Sequence, residues 1–316
     1  NSTDGTWEAW KPVVLNSNVL SLENANTHTN WVATDPTRTT YSADSLGTGS
    51  DSAITVNSNR SINTSNSIGG RSCVDGGDAV NYSVTALTST SASLESAPSA
   101  GCLAVGDEVL LINLRGTNSA MNNTGNWETL RVATVGATVT FTTAKTNYYG
   151  DGASDDTNVG VGTGAQAVML QRVPNYTTVT VDGTFNFYPD AWVQPTGSVN
   201  NGAGEGGVMF FRATGAVAVN GTIHANALGY LAGVRALGTG AAPNGSGGGG
   251  GEAFCGPGGT GAAGAGNGGN GAGGGGAGYE NATYTGGNGY CGGGGSGTSN
   301  TGSISRGGAG GGGHNI

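Results

Sequence analysis

Positive charge is scarce in this sequence. It contains 11 lysine and arginine residues against 20 aspartate and glutamate residues, which gives a formal net charge of -9 over 316 residues. Nucleic-acid binding depends on clustered lysine and arginine side chains, so this composition argues against a nucleic-acid partner. Long apolar runs are also missing, since no stretch approaches the roughly 20 residues that span a bilayer. We therefore expect neither a nucleic-acid partner nor membrane insertion.

Helical periodicity and catalytic residue sets are missing as well. No stretch longer than two turns repeats with a helical period. The 3 histidines lie in unrelated contexts and form no Ser-His-Asp or Cys-His arrangement. Three carboxylates, Glu108, Glu128 and Glu205, are available for a glycosidase pair, but no sequence pattern links them. We therefore predict no catalytic residues, no cofactor and no enzymatic activity.

What the sequence does contain is a series of short β-branched runs separated by glycine, asparagine and aspartate, which is typical of strands and turns. Clear examples are 108–114 (EVLLINL), 128–135 (ETLRVATV) and 167–173 (AVMLQRV). We predict three regions. Residues 1–70 form an N-terminal β arm or small β unit, residues 71–235 form an all-β domain, and residues 244–316 form a glycine-rich region. The strand at 13–22 could also be lent to a neighbouring subunit.

One internal repeat is visible. Residues 179–185 (VTVDGTF) match residues 217–223 (VAVNGTI), with alternating apolar positions followed by Asp-Gly or Asn-Gly. Such units recur in the stacked coils of β-solenoids, although three or more copies are normally needed. A pair of hairpins in a sandwich explains the repeat equally well. The predicted fold class is therefore all-β, a β-sandwich or short β-solenoid that leads into the glycine-rich region.

The cysteine count favours an oxidising compartment. The four cysteines form two pairs that are local in sequence, Cys73 with Cys102 and Cys255 with Cys291. An even number in a chain rich in serine, threonine, asparagine and glycine predicts two disulfides, while four unpaired buried thiols are the alternative. The sequence opens on Asn1 without a methionine. We expect a secreted, extracellular or cell-surface protein from which a signal peptide has been removed.

The last quarter of the chain is about half glycine. Glycine has no side chain to bury, and ordering each backbone residue costs roughly 1–2 kcal/mol. A flexible linker would leave the tract disordered. The ordered alternative, which we favour, is a bundle of polyglycine II helices that pack backbone against backbone through interchain hydrogen bonds and Cα–H···O contacts.

Aromatic residues interrupt the glycine tract. Phe254, Tyr279, Tyr284 and Tyr290 divide it into shorter stretches, and a disulfide between Cys255 and Cys291 would tie two of these breaks together. The interruptions favour an ordered bundle, because bulky residues fit only at turns or on the outer face of such an array. The same aromatic loops are candidate binding sites for a surface glycan or protein.

One loop is rich in oxygen ligands. Asp151, Asp155, Asp156 and Asn158 lie within eight residues of one another. Carboxylate and amide oxygens are the ligands that Ca²⁺ prefers, but the spacing is not that of an EF-hand. These four residues are the candidate metal site, and a turn without metal is the alternative.

Several stretches resemble a known group of proteins. Residues 101–116 (GCLAVGDEVLLINLRG), 171–176 (QRVPNY), 211–215 (FRATG) and 219–223 (VNGTI), together with Leu228-Gly229-Tyr230, are similar to the glycine-rich bacterial surface proteins of the adventurous-gliding-motility type. The resemblance covers roughly residues 70–316 and implies export and a cell-surface role, with no catalytic residues. The glycine tract also resembles, in composition only, the polyglycine-bundle adhesins of phage tail tips.

Three functional hypotheses follow. The first is an extracellular structural protein, a subunit of a fibre or surface layer whose main partner is itself. The second is an adhesin that displays loops on the same scaffold and binds surface glycans or proteins. The third, a polysaccharide-active enzyme on a β-solenoid, depends on the repeat alone.

Overall fold

The computed structural model describes residues 14–16, 19–21, 46–65, 69–117, 120–195, 204–231, 252, 254–259 and 288, the first two ranges by their backbone alone. These residues contain strands and loops but no α-helix, so the all-β prediction is confirmed. Apart from residues 252, 254–259 and 288, the glycine-rich region lies outside this description, and the polyglycine II bundle stays a prediction.

The strands are numbered in chain order. Four precede the main β domain: β1 (Val14–Asn16), β2 (Val19–Ser21), β3 (Ile54–Val56) and β4 (Arg60–Ser61). Six form a closed sheet: β5 (Asn81–Thr88), β6 (Ser91–Leu94), β7 (Glu108–Arg115), β8 (Trp127–Thr134), β9 (Thr138–Phe141) and β10 (Ala167–Arg172). Six short strands follow: β11 (Asn175–Tyr176), β12 (Val179–Val181), β13 (Asn186–Tyr188), β14 (Arg212–Ala213), β15 (Val217–Val219) and β16 (Thr222–Ile223).

The six central strands form an antiparallel barrel in the order β10-β5-β6-β9-β8-β7, which β7 closes by pairing with β10. Apolar side chains fill its interior, with Val109 and Leu111 on β7 and Val168 and Leu170 on β10 among those buried. This arrangement follows from the period-2 alternation of a strand, which sends every second side chain to the same face. Every residue of β10 is buried, because the outer side of this strand is covered as well.

The covering element is a stack of three coils built from short parallel strands. Coil 1 is residues 46–63, coil 2 residues 175–190 and coil 3 residues 212–224. In one sheet β12 lies between β3 and β15, and in the other β13 lies between β4 and β16. The barrel is inserted between coil 1 and coil 2. The strands at 54–61 lie in the segment 1–70 that we predicted to be an arm or small β unit, but they pair with residues 179–188.

The register of coils 2 and 3 differs from the sequence repeat. Val181 pairs with Val219, and Phe187 pairs with Ile223. The repeat had matched Phe185 with Ile223, and that half of the alignment is wrong. Coil 2 holds two more residues at its corner than coil 3, and a turn closed by Phe185 N–H to the carbonyl of Asp182 (3.0 Å) absorbs them.

Aromatic rings fill the interior of the stack. Phe211 contacts Tyr176 and Phe187, with ring centroids 5.8 and 6.1 Å apart. Ile54, Val179 and the other inward residues of coils 1 and 2 complete this second hydrophobic core. The coils therefore have a core of their own, separate from that of the barrel.

One predicted disulfide is confirmed. Cys73 and Cys102 are joined across a sequence separation of 29 residues, with their Cα atoms 4.5 Å apart. The bridge links the segment before β5 to the turn before β7. A disulfide of this kind is typical of proteins folded in an oxidising environment.

Candidate functional site

The open edge of coil 3 is the most distinctive surface of the β domain. Val56, Val181 and Val219 occupy equivalent positions in the three coils, since they pair in register. Val56 and Val181 are 0% exposed, whereas Val219 is 48% exposed. Among the described residues, no strand pairs with the outer side of β15. Within the described part of the chain, β15 is thus an edge strand with an apolar side chain at its surface.

At the opposite end of the stack, β3 and β4 are the edge strands of their sheets among the described residues, and other chain segments contact the end of coil 1 at Ile62 and Asn63. The chain that leaves coil 1 turns back over it, and Ala79 N–H donates to the carbonyl of Ile62 (2.9 Å). Asn63 Nδ2 donates in return to the carbonyl of Ala79 (2.8 Å) and to Gln171 Oε1 (3.2 Å). Gly77 lies so close to the Ile62 carbonyl that a Cβ there would approach it to 2.6 Å. Among the described residues both ends of the stack therefore have an edge strand, with buried Ile54 and Val56 on β3 and half-exposed Val219 on β15.

The glycine-rich region is anchored to the barrel at its beginning. Glu252 Oε1 accepts from Arg115 Nη1 (2.6 Å), and both side chains are essentially excluded from solvent. Its second oxygen accepts from Trp192 Nε1 (2.7 Å), and its backbone N–H donates to the carbonyl of Leu231 (2.8 Å). Because a buried charge must be paired, this contact fixes the start of the tract against the end of β7.

Two further contacts hold the same segment. Gly116 N–H donates to the carbonyl of Phe254 (2.7 Å), and the Cys255 side chain is fully buried and disulfide-bonded. Phe254 is only partly buried. The predicted partner Cys291 and the predicted binding residues Tyr279, Tyr284 and Tyr290 lie outside the described residues.

A cleft of about 420 Å³ separates coil 1 from the barrel. Asp51 and Asn175 line its coil side, and Arg71, Asp107 and Arg131 line its barrel side. Asp51 Oδ1 accepts from Arg172 Nη2 (2.5 Å), and Asp107 Oδ1 accepts from Arg71 Nη2 (2.7 Å). Both carboxylates are thus paired with arginine.

The third carboxylate of the cleft, Glu108, joins coil 3 to the barrel. Arg212 forms a bidentate ion pair with Glu108, in which Nη2 lies 2.6 Å from Oε1 and Nε lies 2.9 Å from Oε2. Asn175 Nδ2 adds a longer bond to Oε2 (3.3 Å). Paired arginine and carboxylate groups of this geometry orient one another rigidly. The charges of the cleft therefore cross-link the coils and the barrel.

Asp151 and Asp155 of the oxygen-rich loop accept hydrogen bonds from donors in the same loop. Asp151 accepts from Thr157 Oγ1 (3.2 Å) and Asn158 Nδ2 (3.0 Å), and Asp155 accepts from Gly152 N–H (3.2 Å). Asp156 pairs with Lys145 Nζ at 2.5 Å. Within the described part of the chain, no group of three or more histidine, cysteine or acidic residues is placed to hold a metal. The four candidate ligands act as caps of a tight loop.

Glu205 is a buried carboxyl group whose pKa lies above its ordinary value. Burial raises its pKa from 4.5 to about 7, although hydrogen bonding to Ser83 acts in the opposite direction. Ser83 N–H donates to Glu205 Oε1 at 2.6 Å, which attaches the loop after coil 2 to strand β5. Three carboxylates were candidates for catalysis: Glu108, Glu128 and Glu205. Glu108 is paired with Arg212. Glu128 accepts from Tyr149 Oη (3.0 Å).

Aromatic side chains are exposed on the outer surface of the barrel. Trp127 at the start of β8 is 54% exposed, and Tyr148 is 45% exposed. Asn147 Nδ2 donates to the carbonyl of Trp127 (3.0 Å), which holds the two segments together. The ring of Phe210 lies 6.1 Å from that of Trp127. Exposed aromatic groups of this kind mark interaction surfaces.

Comparison with known protein family models, with curated proteins and with solved structures finds no match to this chain. None of the described residues belongs to a helix with the length and hydropathy needed to span a bilayer.

Proposed function

We propose that this protein is an extracellular structural protein, a subunit that assembles with copies of itself into a fibre or surface layer. The open edge of coil 3 is the observation that carries the proposal. An unpaired strand presents a row of backbone N–H and C=O groups, which is a template for pairing with another chain. Val219, exposed beside that edge, gains burial when a further strand covers it.

The two unlike ends of the stack favour an open assembly. A contact between different surfaces of identical subunits is heterologous, and repetition of it gives a ring or an open filament. The β3 edge at coil 1, whose apolar side chains are buried, and the β15 edge at coil 3, where Val219 is half-exposed, provide two such different surfaces. The function proposed here has no catalytic step.

The glycine-rich region contributes a second packing surface in this proposal. Its first residues are fixed to the barrel through Glu252, so the tract that follows has a defined origin on the subunit. We infer that residues 244–316 pack as polyglycine II helices, within one subunit or between neighbours. The confirmed disulfide and the resemblance to exported glycine-rich surface proteins support a secreted or cell-surface location after removal of a signal peptide.

Electron microscopy and analytical ultracentrifugation at native concentration test the assembly. We expect elongated assemblies of the wild-type protein. The Val219→Asp variant should stay monomeric, because it places a charge at the strand edge. Val74→Asp is the matched control, since Val74 is 83% exposed and belongs to none of the three coils. Strictly monomeric wild-type particles under all conditions would contradict the proposal.

A second candidate function is adhesion to a surface glycan, and the exposed pair Trp127 and Tyr148 favours it. A flat aromatic ring beside amide groups such as those of Asn126 and Asn147 suits the apolar face and hydroxyl groups of a sugar. Glycan binding that is lost in Trp127→Ala but kept in Val105→Ala would locate the site on the barrel. Loss only on replacing Tyr279, Tyr284 and Tyr290 by alanine would locate it in the glycine tract.

A further inference from the structure

We propose that this protein binds an acidic oligosaccharide, with a carboxylate group of the ligand in the cleft between coil 1 and the barrel and a sugar ring on Trp127. The inference rests on the second candidate function, adhesion to a glycan, and is independent of the proposed self-assembly. It names the class of glycan and the residues that select it. Two features carry it: an arginine without a carboxylate partner, and a row of side chains that leads from the cleft to the exposed aromatic rings.

The cleft concentrates the scarce positive charge of the chain. Three arginines line it and a fourth pairs with Glu108 in its wall, so four of the 11 positively charged residues meet here. The cleft is also lined by three carboxylates, which leaves an excess of one positive charge in a protein whose formal net charge is -9. The arginines are Arg71, Arg131, Arg172 and Arg212, and the carboxylates are those of Asp51, Asp107 and Glu108. A lining of this sign attracts an anion that the acidic protein repels elsewhere.

Arg131 supplies the unpaired charge. The three carboxylates of the cleft are paired with the other three arginines, whereas Arg131 forms no ion pair among the described residues. Its Nη1 donates to the carbonyl of Gly106 (3.3 Å), and its other donors are left for a ligand. Arg71 on the same wall keeps 20% of its side chain in contact with solvent. Because a guanidinium group matches the geometry of a carboxylate, these two side chains suit a carboxylate ligand.

The outer face of β8 leads from the cleft to the aromatic side chains. Leu130 and Val132 belong to the barrel core. Trp127, Thr129 and Arg131 alternate with them and therefore share the outer face. The Cα atoms of Trp127 and Arg131 are about 13 Å apart along the strand, since four residues separate them. This span is longer than one sugar ring, so a ligand that reaches both residues is an oligosaccharide.

A series of contacts connects the two ends of this row. The ring of Phe210, which is partly exposed, lies 6.1 Å from that of Trp127 and 5.8 Å from the guanidinium carbon of Arg212. Arg212 Nη2 donates to Thr129 Oγ1 (3.4 Å) and pairs with Glu108 of the cleft. Trp127 itself is 54% exposed, and its flat ring suits the apolar face of a sugar. The outer face of β8 therefore offers an aromatic subsite at one end and a cationic subsite at the other.

Isothermal titration calorimetry of the wild-type protein with trigalacturonate, which carries a carboxylate on every ring, tests the charge requirement. Its methyl ester is the matched ligand, because it keeps the rings and the length but has no charge. We expect the acid to bind at least about tenfold more tightly than the ester, and its affinity to fall with added salt. Equal affinities would overturn the inference and leave adhesion to a glycan standing. Failure to bind any acidic or neutral oligosaccharide on a glycan array would overturn both.

The variant Arg131→Gln tests the cationic subsite. Glutamine can still donate to the Gly106 carbonyl but carries no charge, so we expect about a tenfold loss of affinity for trigalacturonate and no change for the ester. Arg60→Gln is the matched control, because it removes the same charge from β4, which does not line the cleft. Val105→Ala at the cleft removes no polar group and should also leave binding unchanged. Equal losses in Arg131→Gln and Arg60→Gln would overturn the assignment to the cleft.

The variant Trp127→Ala separates an oligosaccharide from a free small carboxylate. We expect it to weaken the binding of trigalacturonate about tenfold, because the stacked ring is lost. The monosaccharide galacturonate reaches only one end of the row, so it should bind weakly to both proteins. Galacturonate that binds as tightly as the trimer and is unaffected by Trp127→Ala would show that the cleft holds a small carboxylate, and would overturn the oligosaccharide assignment.

Discussion

Arg115 and Glu252 form an ion pair that is almost completely removed from solvent. Nη1 and Oε1 lie 2.6 Å apart, and the two side chains are 0% and 1% exposed. The pair connects the last residue of β7 with the first described residue of the glycine-rich region, 137 positions further along the chain. Together with the hydrogen bond from Gly116 N–H to the carbonyl of Phe254, it attaches the start of the tract to the barrel.

Replacement of Glu252 by alanine should destabilise the β domain by about 3–5 kcal/mol, because Arg115 would keep a buried charge without a partner. Urea unfolding followed by tryptophan fluorescence measures the change. Asp182→Ala is the control: this side chain makes no hydrogen bond or ion pair among the described residues, so the loss should be below about 0.5 kcal/mol. Equal effects of the two substitutions would show that the ion pair is not an anchor.

Loss of the Cys73–Cys102 disulfide should destabilise the barrel. The bridge closes a loop of 29 residues in sequence separation, and loop-closure entropy predicts a contribution of about 3–4 kcal/mol. The double variant Cys73→Ser/Cys102→Ser should therefore unfold at a clearly lower urea concentration than the wild type. Equal midpoints for both proteins would show that the bridge is not needed for stability.

Glu205 should make the protein less stable as the pH rises. Its pKa is 4.5 in the unfolded chain and about 7 in the folded protein, so folding retains a proton that the unfolded state releases. The stabilising contribution of the protonated form is complete below pH 4.5 and is lost by about pH 7. Free energies of unfolding at pH 5 and pH 8 measure this loss.

The matched variant for Glu205 is Glu205→Gln, which keeps an acceptor for the Ser83 N–H but cannot ionise. We expect the drop in stability between pH 5 and pH 8 to be smaller in this variant than in the wild type. A drop of the same size in both proteins would contradict the assignment of the effect to Glu205.

Two glycines at equivalent corners of the coils should respond differently to alanine. A Cβ at Gly221 would approach the carbonyl oxygens of Phe185 and Asp182 more closely than 3.0 Å, whereas one at Gly183 meets nothing within 4 Å. Gly221→Ala should cost about 2 kcal/mol through overpacking. Gly183→Ala should change stability by less than about 1 kcal/mol and in the stabilising direction. Thermal denaturation compares them, and a neutral Gly221→Ala would argue against close stacking of coils 2 and 3.

Local sequence patterns predicted several of the strands correctly. The alternating runs at 108–114 and 167–173 coincide closely with β7 and β10, and the repeat at 179 and 217 marks the first strands of two neighbouring coils. These features are predictable because strand periodicity and β-branched composition are properties of adjacent residues. The pair Cys73 and Cys102 was also predictable, since both cysteines lie close in sequence.

Contacts between segments that are distant in sequence were not predictable from the sequence. Coil 1 pairs with residues 175–188, but a whole barrel separates the two segments along the chain. The two extra residues at the corner of coil 2 shift the register of the second half of the repeat. No local sequence pattern indicates this insertion. Trp127 and Tyr148 are 21 positions apart and come together only because β8 and the following loop return to the same surface.

The sequence by itself determined that this is an all-β protein with very little positive charge, a local disulfide and a glycine-rich end, because composition and short-range periodicity encode those properties. Tertiary structure alone decided that the barrel closes, that coil 1 joins coils 2 and 3 and that Glu252 meets Arg115. Each of these depends on contacts between residues distant in sequence, where burial, register and the pairing of charges are settled only when the whole chain folds.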